Sequence, residues 1–278
     1  LQNGLVAARL PKPVNAVKTP TGKKMNVLLT NDDGIQAEGL RALYRRFARD
    51  YPTTVVAPER ERSAVSHSIT LHKPLRLCHH RGADGVHDGY AVSGTPADCV
   101  KLGVLELLER RPDLVVSGIN PGANVGINLN YSGTVSAAKE AALLGLPAIA
   151  VSVNSQAPRH YDAAAGFIAQ LAEMVFQKGL PGGTFLNVNL PDLPLSAMAG
   201  VRISRQGVGV FADAFEKRTD PRKRVYFWQG CDPQTGYADP EVDGGALRRN
   251  FITICPLKCD MTAYDLLENL KAWPLAFG

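Results

Sequence analysis

Asn26-Val27-Leu28-Leu29-Thr30-Asn31-Asp32-Asp33-Gly34-Ile35 is the stretch that decides how this chain folds. Residues 27–29 are apolar and partly β-branched, the pattern of a short strand covered on both faces. Asn31, Asp32, Asp33 and Gly34 are turn formers, so the strand stops there and hands two adjacent carboxylates to a loop. In an open α/β sheet, ligands collect beyond the carboxyl ends of the strands. Two readings stand at this point. The acids are either a metal or phosphoryl-transfer site, or a helix N-cap with surface carboxylates.

Downstream, Ala37 to Asp50 places Leu40, Leu43, Tyr44 and Phe47 at helical spacing, and Thr53-Thr54-Val55-Val56-Ala57-Pro58 is a second strand. Strand, helix, strand in about 35 residues is a βαβ unit and implies a parallel sheet. The loop Glu59 to Ser68 then lies at the carboxyl edge and carries Ser63, Ser66, Ser68 and two arginines. Residues 69–92 hold short alternating pieces that predict a small antiparallel excursion. Gly94-Thr95-Pro96 opens a helix, with Thr95 as N-cap and Pro96 in the first turn. Gly94 and Thr95 could equally hold a phosphate at that helix start.

Pro112 to Ser117 is the next strand, and it enters Gly118-Ile119-Asn120-Pro121-Gly122-Ala123-Asn124-Val125-Gly126. A plain turn needs fewer glycines and asparagines than this uncharged loop contains. Glycine allows close backbone approach, and an asparagine oxygen can ligate a hard cation while its amide donates to phosphate. Ser132-Gly133-Thr134 precedes an Ala-rich helix over 135–144 and forms a small anion nest of hydroxyls, free N–H groups and helix dipole. Without a Gly-Lys-Ser/Thr it is not a P-loop. A strand over 148–153, a helix over 161–178 and a strand over 185–190 complete a doubly wound sheet. Strand-like pieces at 200–205, 224–228 and 250–254 and a final helix over about 262–272 read as an arm on the same domain, of the kind that builds oligomer interfaces.

The whole chain bounds these readings. Its 278 residues are 45% apolar and 21% charged, as in ordinary globular proteins. The formal charge of +5 is confined to residues 1–24, which hold five basic residues and no acid. The body carries 26 basic against 26 acidic residues, so its charge balance does not call for a nucleic-acid partner. Residues 1–24 read as a disordered basic leader or remnant, and 25–278 as a single domain with its arm over about 200–278. No apolar run reaches 18 residues, which speaks against a membrane span. Five scattered cysteines read as reduced thiols in a cytoplasmic protein.

Together the loops place Asp32, Asp33, Ser63, Asn120, Asn124, Ser132 and Thr134 on one edge. Oxygen ligands without Cys or His clusters favour Mg²⁺ or Mn²⁺ over zinc. A haloacid-dehalogenase site needs Asp-x-Asp where this chain has Asp-Asp-Gly, and a receiver domain needs an Asp where the central strand here runs into Ser117-Gly118-Ile119-Asn120. Instead, residues 28–34, Val56 to Ser63, Gly94 to Val100, Val116 to Asn120 and Tyr131 to Val135 strongly resemble SurE, the stationary-phase survival 5′-nucleotidases. Asp220-Pro221-Arg222 with Tyr226 and Trp228, and Asp260-Met261-Thr262-Ala263, resemble that family's C-terminal signatures, so the likeness spans about residues 25–270.

The resemblance implies a three-layer αβα Rossmann-like fold with a C-terminal β-hairpin arm. It implies a metal-dependent phosphatase acting on nucleoside 5′-monophosphates, with 3′-monophosphates and short polyphosphate as further substrates. One divalent ion per subunit would be held by Asp32, Asp33, Ser63 and Asn120, with Asp32 and Asp33 catalytic. On the reading of the loops and helix starts themselves, Gly94, Thr95, Asn124, Ser132, Gly133 and Thr134 would bind the phosphate or substrate. A homodimer or homotetramer exchanging the arm is implied as well. Residues 127–130 (Ile-Asn-Leu-Asn) depart from the acidic residues that many members carry there. The alternative is a non-catalytic nucleotide-binding protein using the same crevice.

Overall fold

The computed structural model describes residues 24–82, 88–208, 213–231 and 238–275. Apart from Lys24, the basic leader lies outside them. The first strand, β1 (Val27–Thr30), pairs in parallel with β2 (Thr53–Pro58) on one side and β5 (Leu114–Pro121) on the other. Its side chains alternate between two cores. Val27 and Leu29 pack with α1 (Glu38–Phe47) and α4 (Tyr161–Lys178), while Leu28 packs with α2 (Pro96–Leu102) and α3 (Gly133–Leu143). A strand buried on both faces explains the unbroken apolar run.

Among the described residues nine strands form one sheet in the order β3-β4-β2-β1-β5-β6-β7-β11-β8, with β3 at Leu77–Arg81, β4 at Asp88–Val92, β6 at Ala148–Asn154, β7 at Thr184–Pro191, β8 at Gly200–Ile203 and β11 at Phe251–Lys258. The chain leaves β1 toward β2 and β4, then returns across it to β5, β6 and β7, so the winding reverses between β1 and β5. That crevice is where a doubly wound sheet binds its ligands. The sheet is three-layered and mostly parallel, as expected. Two expectations change. Of the 69–92 excursion, only β3 (Leu77–Arg81) is antiparallel to its neighbour; β4 (Asp88–Val92) pairs parallel to β2 inside the main sheet. The span expected as an arm also divides. β8 (Gly200–Ile203) and β11 (Phe251–Lys258) extend the main sheet beyond β7 (Thr184–Pro191), with β11 antiparallel to it, and α5 (Asp243–Leu247) is buried.

What stands apart is a hairpin of β9 (Asp213–Thr219) and β10 (Val225–Cys231) together with α6 (Tyr264–Lys271), which buries no residue. Phe215, Tyr226, Phe227 and Trp228 are exposed on the hairpin. No described helix is long and apolar enough to cross a membrane.

α1 approaches β5 closely at Gly39, where a Cβ would stand 2.0 Å from the Ile119 carbonyl oxygen. That contact sets the height of the segment carrying Asn120. Gly39→Ala is expected to destabilise the protein by about 1–3 kcal/mol or more, the scale of overpacking in a tight core. A lower urea midpoint at unchanged m-value checks this.

Candidate active site

The turn after β1 is drawn tight by its own polar groups. Asn31 Nδ2 donates to the Gly34 carbonyl at 2.9 Å, and Ile35 N–H donates to Pro58 O at 2.8 Å. Gly34 takes φ of +101° with Arg60 backbone only 3.0 Å from any added Cβ, so glycine is required there. Asp32 is almost fully buried. The Thr134 hydroxyl donates to its Oδ1, and the Thr134 backbone N–H also favours its charged form. Gly133 lets the two segments meet, since a Cβ there would lie 2.8 Å from Asp32 Cβ. Asp32 does satisfy a helix N-terminus, but that of α3, 102 residues away, and α1 starts from Ala37 without a side-chain cap.

Burial raises the pKa of Asp32 against these hydrogen bonds. It also pushes Asp33 up to about 7, aided by the charges of Asp32 and Glu61. Among the described residues neither carboxylate pairs with Lys, Arg or His. Asp33 Oδ2 and Asn31 Oδ1 are buried without a hydrogen-bond partner. Crowded acids lacking a cation suit a bound hard cation.

Two more oxygen groups stand on segments that neighbour this turn. Arg62 N–H donates to Asp32 O at 2.7 Å, which ties the start of the Ser63 loop to the acid turn. Ser63 Oγ donates to Glu61 at 2.7 Å and keeps its lone pairs. Thr30 pairs in register with Ser117, and a bulge between Ser117 and Asn120 follows. The Asn120 amide donates to Pro121 O and Gly122 O at 3.1 and 2.7 Å, so its Oδ1 is the atom left over. Among the described residues no three His, Cys, Asp or Glu side chains cluster as a metal site, so a cation here would need neutral oxygens as well, and Ser63 and Asn120 are the candidates for them. The donor set fits Mg²⁺ or Mn²⁺.

The remaining expected residues are placed differently. Ser132 caps α3 by accepting from Val135 N–H at 3.2 Å, and Thr134 is engaged by Asp32. Asn124 is knotted into the interior: its N–H and Nδ2 donate to Asn189 Oδ1 and Ser152 Oγ, and its carbonyl accepts from Asn187 and Asn189, all at 2.8–2.9 Å. Thr95 and Asp98 form a reciprocal capping box, and Gly94 packs against Asp98 and Leu75. These bonds engage most of their polar groups within the fold.

Sequence reasoning missed three participants. Asp243 is fully buried and accepts from the N–H groups of Gly126, Gly207 and Gly244, tying the C-terminal region to the asparagine loop. Tyr161 at the start of α4 has its phenol pushed up to about 12 by burial and by the charges of Asp33, Glu38 and Asp192, so it borders the acids. Glu140, buried on α3, contacts the loop of Ser63 through His67.

A doubly wound α/β protein with an all-oxygen, doubly acidic site at the reversal of its sheet is the class these features define. The family described as Survival protein SurE matches residues 27–213, and the chain belongs to that family. A 5′-nucleotidase SurE of Desulfatibacillum aliphaticivorans is 57% identical over 249 residues, covering 90% of this chain and 98% of that protein. One from Syntrophobacter fumaroxidans is 46% identical, covering 90% and 100%. The crystal structure of the SurE protein from Aquifex aeolicus matches with a TM-score of 0.77 at 35% identity, over 88% of this chain and 98% of that one.

Asp98 supports the loop ahead of α2 by accepting from Thr70 N–H at 3.0 and 3.2 Å and from Thr95 N–H at 2.9 Å. Burial alone would raise its pKa, but these bonds outweigh it and hold the carboxyl below its ordinary value. A depressed folded pKa adds stability above the ordinary carboxylate range and loses it as pH falls through the folded value. The stability gap between wild type and Asp98→Asn is therefore expected to be constant from neutral pH down to about 5 and to close below about 4. Urea denaturation across that range measures it.

Proposed function

We propose that this chain is a 5′-nucleotidase, a metal-dependent phosphatase that hydrolyses nucleoside 5′-monophosphates to nucleoside and phosphate. The observation that carries the reading is the pair of crowded carboxylates, Asp32 and Asp33, at the switch point, with no cationic side chain among the described residues to pair with them. The relatives named 5′-nucleotidase SurE, aligned over nearly their whole length, support it. Nucleoside 3′-monophosphates and short polyphosphate are further substrates of the same chemistry.

Asp32, Asp33, Ser63 and Asn120 would hold one Mg²⁺ or Mn²⁺. When bound, such an ion neutralises phosphoryl oxygens and acidifies or orients a water. The protein's own groups do the rest. Thr134 fixes Asp32 in one orientation, and the buried α3 start offers its positive dipole end to the phosphate. Asp33 Oδ2, which has no protein partner, positions the attacking water and can take its proton. Ser132 and Gly133 frame the phosphate site, while Gly94, Thr95 and Asn124 hold the surrounding loops through their internal hydrogen bonds. We place the enzyme in the cytoplasm, where the described cysteines, Cys78, Cys99, Cys255 and Cys259, stay free thiols. We also infer a homodimer or homotetramer in which the exposed hairpin and α6 cover a partner, because Phe227, Trp228 and Leu266 otherwise face water.

Phosphate release from nucleoside monophosphates, with Mn²⁺ or Mg²⁺ and then with chelator, tests the reading. Hydrolysis should require the metal. Asp32→Asn should lower turnover by on the order of 10²–10³-fold or more, the cost of losing one electrostatic stabiliser. Metal-independent hydrolysis, or near-normal turnover by that variant, would refute the assignment. Binding of the nucleotide without turnover by wild type would favour a binding protein instead. Gly133→Ala, whose Cβ displaces Asp32, should cost roughly 100-fold in kcat/KM, the scale of a misplacement of about 1 Å.

A further inference from the structure

Glu140 puts a charge where packing does not ask for one. It lies on α3 among Ala137, Ala138, Ala141 and Ala142, and only 5% of it is exposed. A buried carboxylate needs pairing and hydrogen bonds. Its two oxygens reach two other elements. His67 Nε2 donates to Oε2 at 2.8 Å, and Lys101 Nζ on α2 stands 3.3 Å from Oε1. Burial alone would raise the Glu140 pKa, but His67 and Lys101 outweigh it and hold the carboxyl below its usual range.

His67 closes the loop that leaves β2 and carries Ser63. Within it, Ala64 and Ser66 both take φ of +54°, a left-handed conformation that residues with a Cβ avoid. Such backbone persists only where its surroundings over-determine it. Ser66 is tied twice, its N–H donating to Tyr131 O at 3.1 Å and its hydroxyl to Asn130 O at 2.7 Å. Upstream, Arg62 N–H holds Asp32 O. Ser63 therefore sits between one tether on the acid loop and another on α3.

We propose that His67 and Glu140 form a latch that positions Ser63 as a metal ligand; this rests on the reading of Ser63 as a ligand given above. One helix then sets the spacing of the site from both sides. Thr134 at its start holds Asp32, and Glu140, about 9 Å further along at 1.5 Å per residue, holds the loop of Ser63. His67 and Glu140 touch neither substrate nor cation. They are positioning residues, and their effect is read in metal affinity.

Calorimetric titration of the full chain with Mn²⁺ tests the latch in wild type, His67→Ala, His67→Gln, Glu140→Gln, Ser63→Ala and the double variant His67→Ala/Ser63→Ala. Losing a group that orients a ligand costs about 10–100-fold in metal affinity. His67→Ala and Glu140→Gln should each show a loss of that order, and His67→Gln, which keeps an N–H donor, should recover most of it. In the Ser63→Ala background, His67→Ala should add no further loss, because the latch acts through that side chain. Metal-free melting temperatures separate this from general destabilisation, and Glu140→Gln preserves side-chain volume should His67→Ala unfold. Wild-type affinity in both His67→Ala and Glu140→Gln, or a fully additive loss in the double variant, overturns the latch and leaves the metal site standing. Wild-type affinity in Ser63→Ala removes Ser63 from the ligand set and the latch with it. Absence of Mn²⁺ binding by wild type removes the proposed function itself.

Discussion

The structure depends on burying one carboxylate. Asp32 lies in the turn just beyond β1 in the middle of the sheet, where leaving a charge without partners would cost several kcal/mol. The fold offsets part of that cost with a hydroxyl and a backbone N–H from Thr134, and the absence of a side chain at Gly133 makes the approach possible. α3 starts at that point, after β5 and the asparagine loop and ahead of β6 (Ala148–Asn154). The architecture around the crevice is organised by the needs of a single side chain.

Much of this was legible in the sequence, for a physical reason. Strands covered on both faces read as unbroken apolar runs, so β1, β2, β6 and β7 could be located within a residue or two, and α4 has the bounds its periodicity predicts. Pairing was less visible. β4 reads as an alternating hairpin strand yet joins β2 in parallel, and β11 reads as an arm yet closes the sheet, because sequence pattern reports burial and not the neighbour. β9, with Glu216, Lys217 and Arg218 in succession, carries no apolar signal. The acids, serine and asparagine of the site announced themselves by clustering after strands. The engagement of Asn124 by Asn187, Asn189 and Ser152 did not, since those partners are 28 to 65 residues away.

The C-terminal region is coupled to this centre through buried polar contacts. Asp243 grips Gly126, and Gln206 Nε2 donates to Gly126 O at 2.8 Å. Burial raises the Asp243 pKa, and its three backbone donors work against that rise. The asparagine loop is thus shared between the main sheet and the segments that lead into and out of the exposed hairpin. A change in how that hairpin is covered has a short path to the site.

The clamp on Asn124 has a consequence for solution behaviour. It is built from amides, a hydroxyl and backbone groups, with no ionised member. Mobile ions screen attraction between charges over a Debye length of about 8 Å at physiological ionic strength, but they have little hold on a buried neutral network. Raising the salt concentration will therefore weaken attraction between exposed charges while the frame around the crevice keeps its shape. The loop behaves as a rigid die whose form ionic strength does not reach.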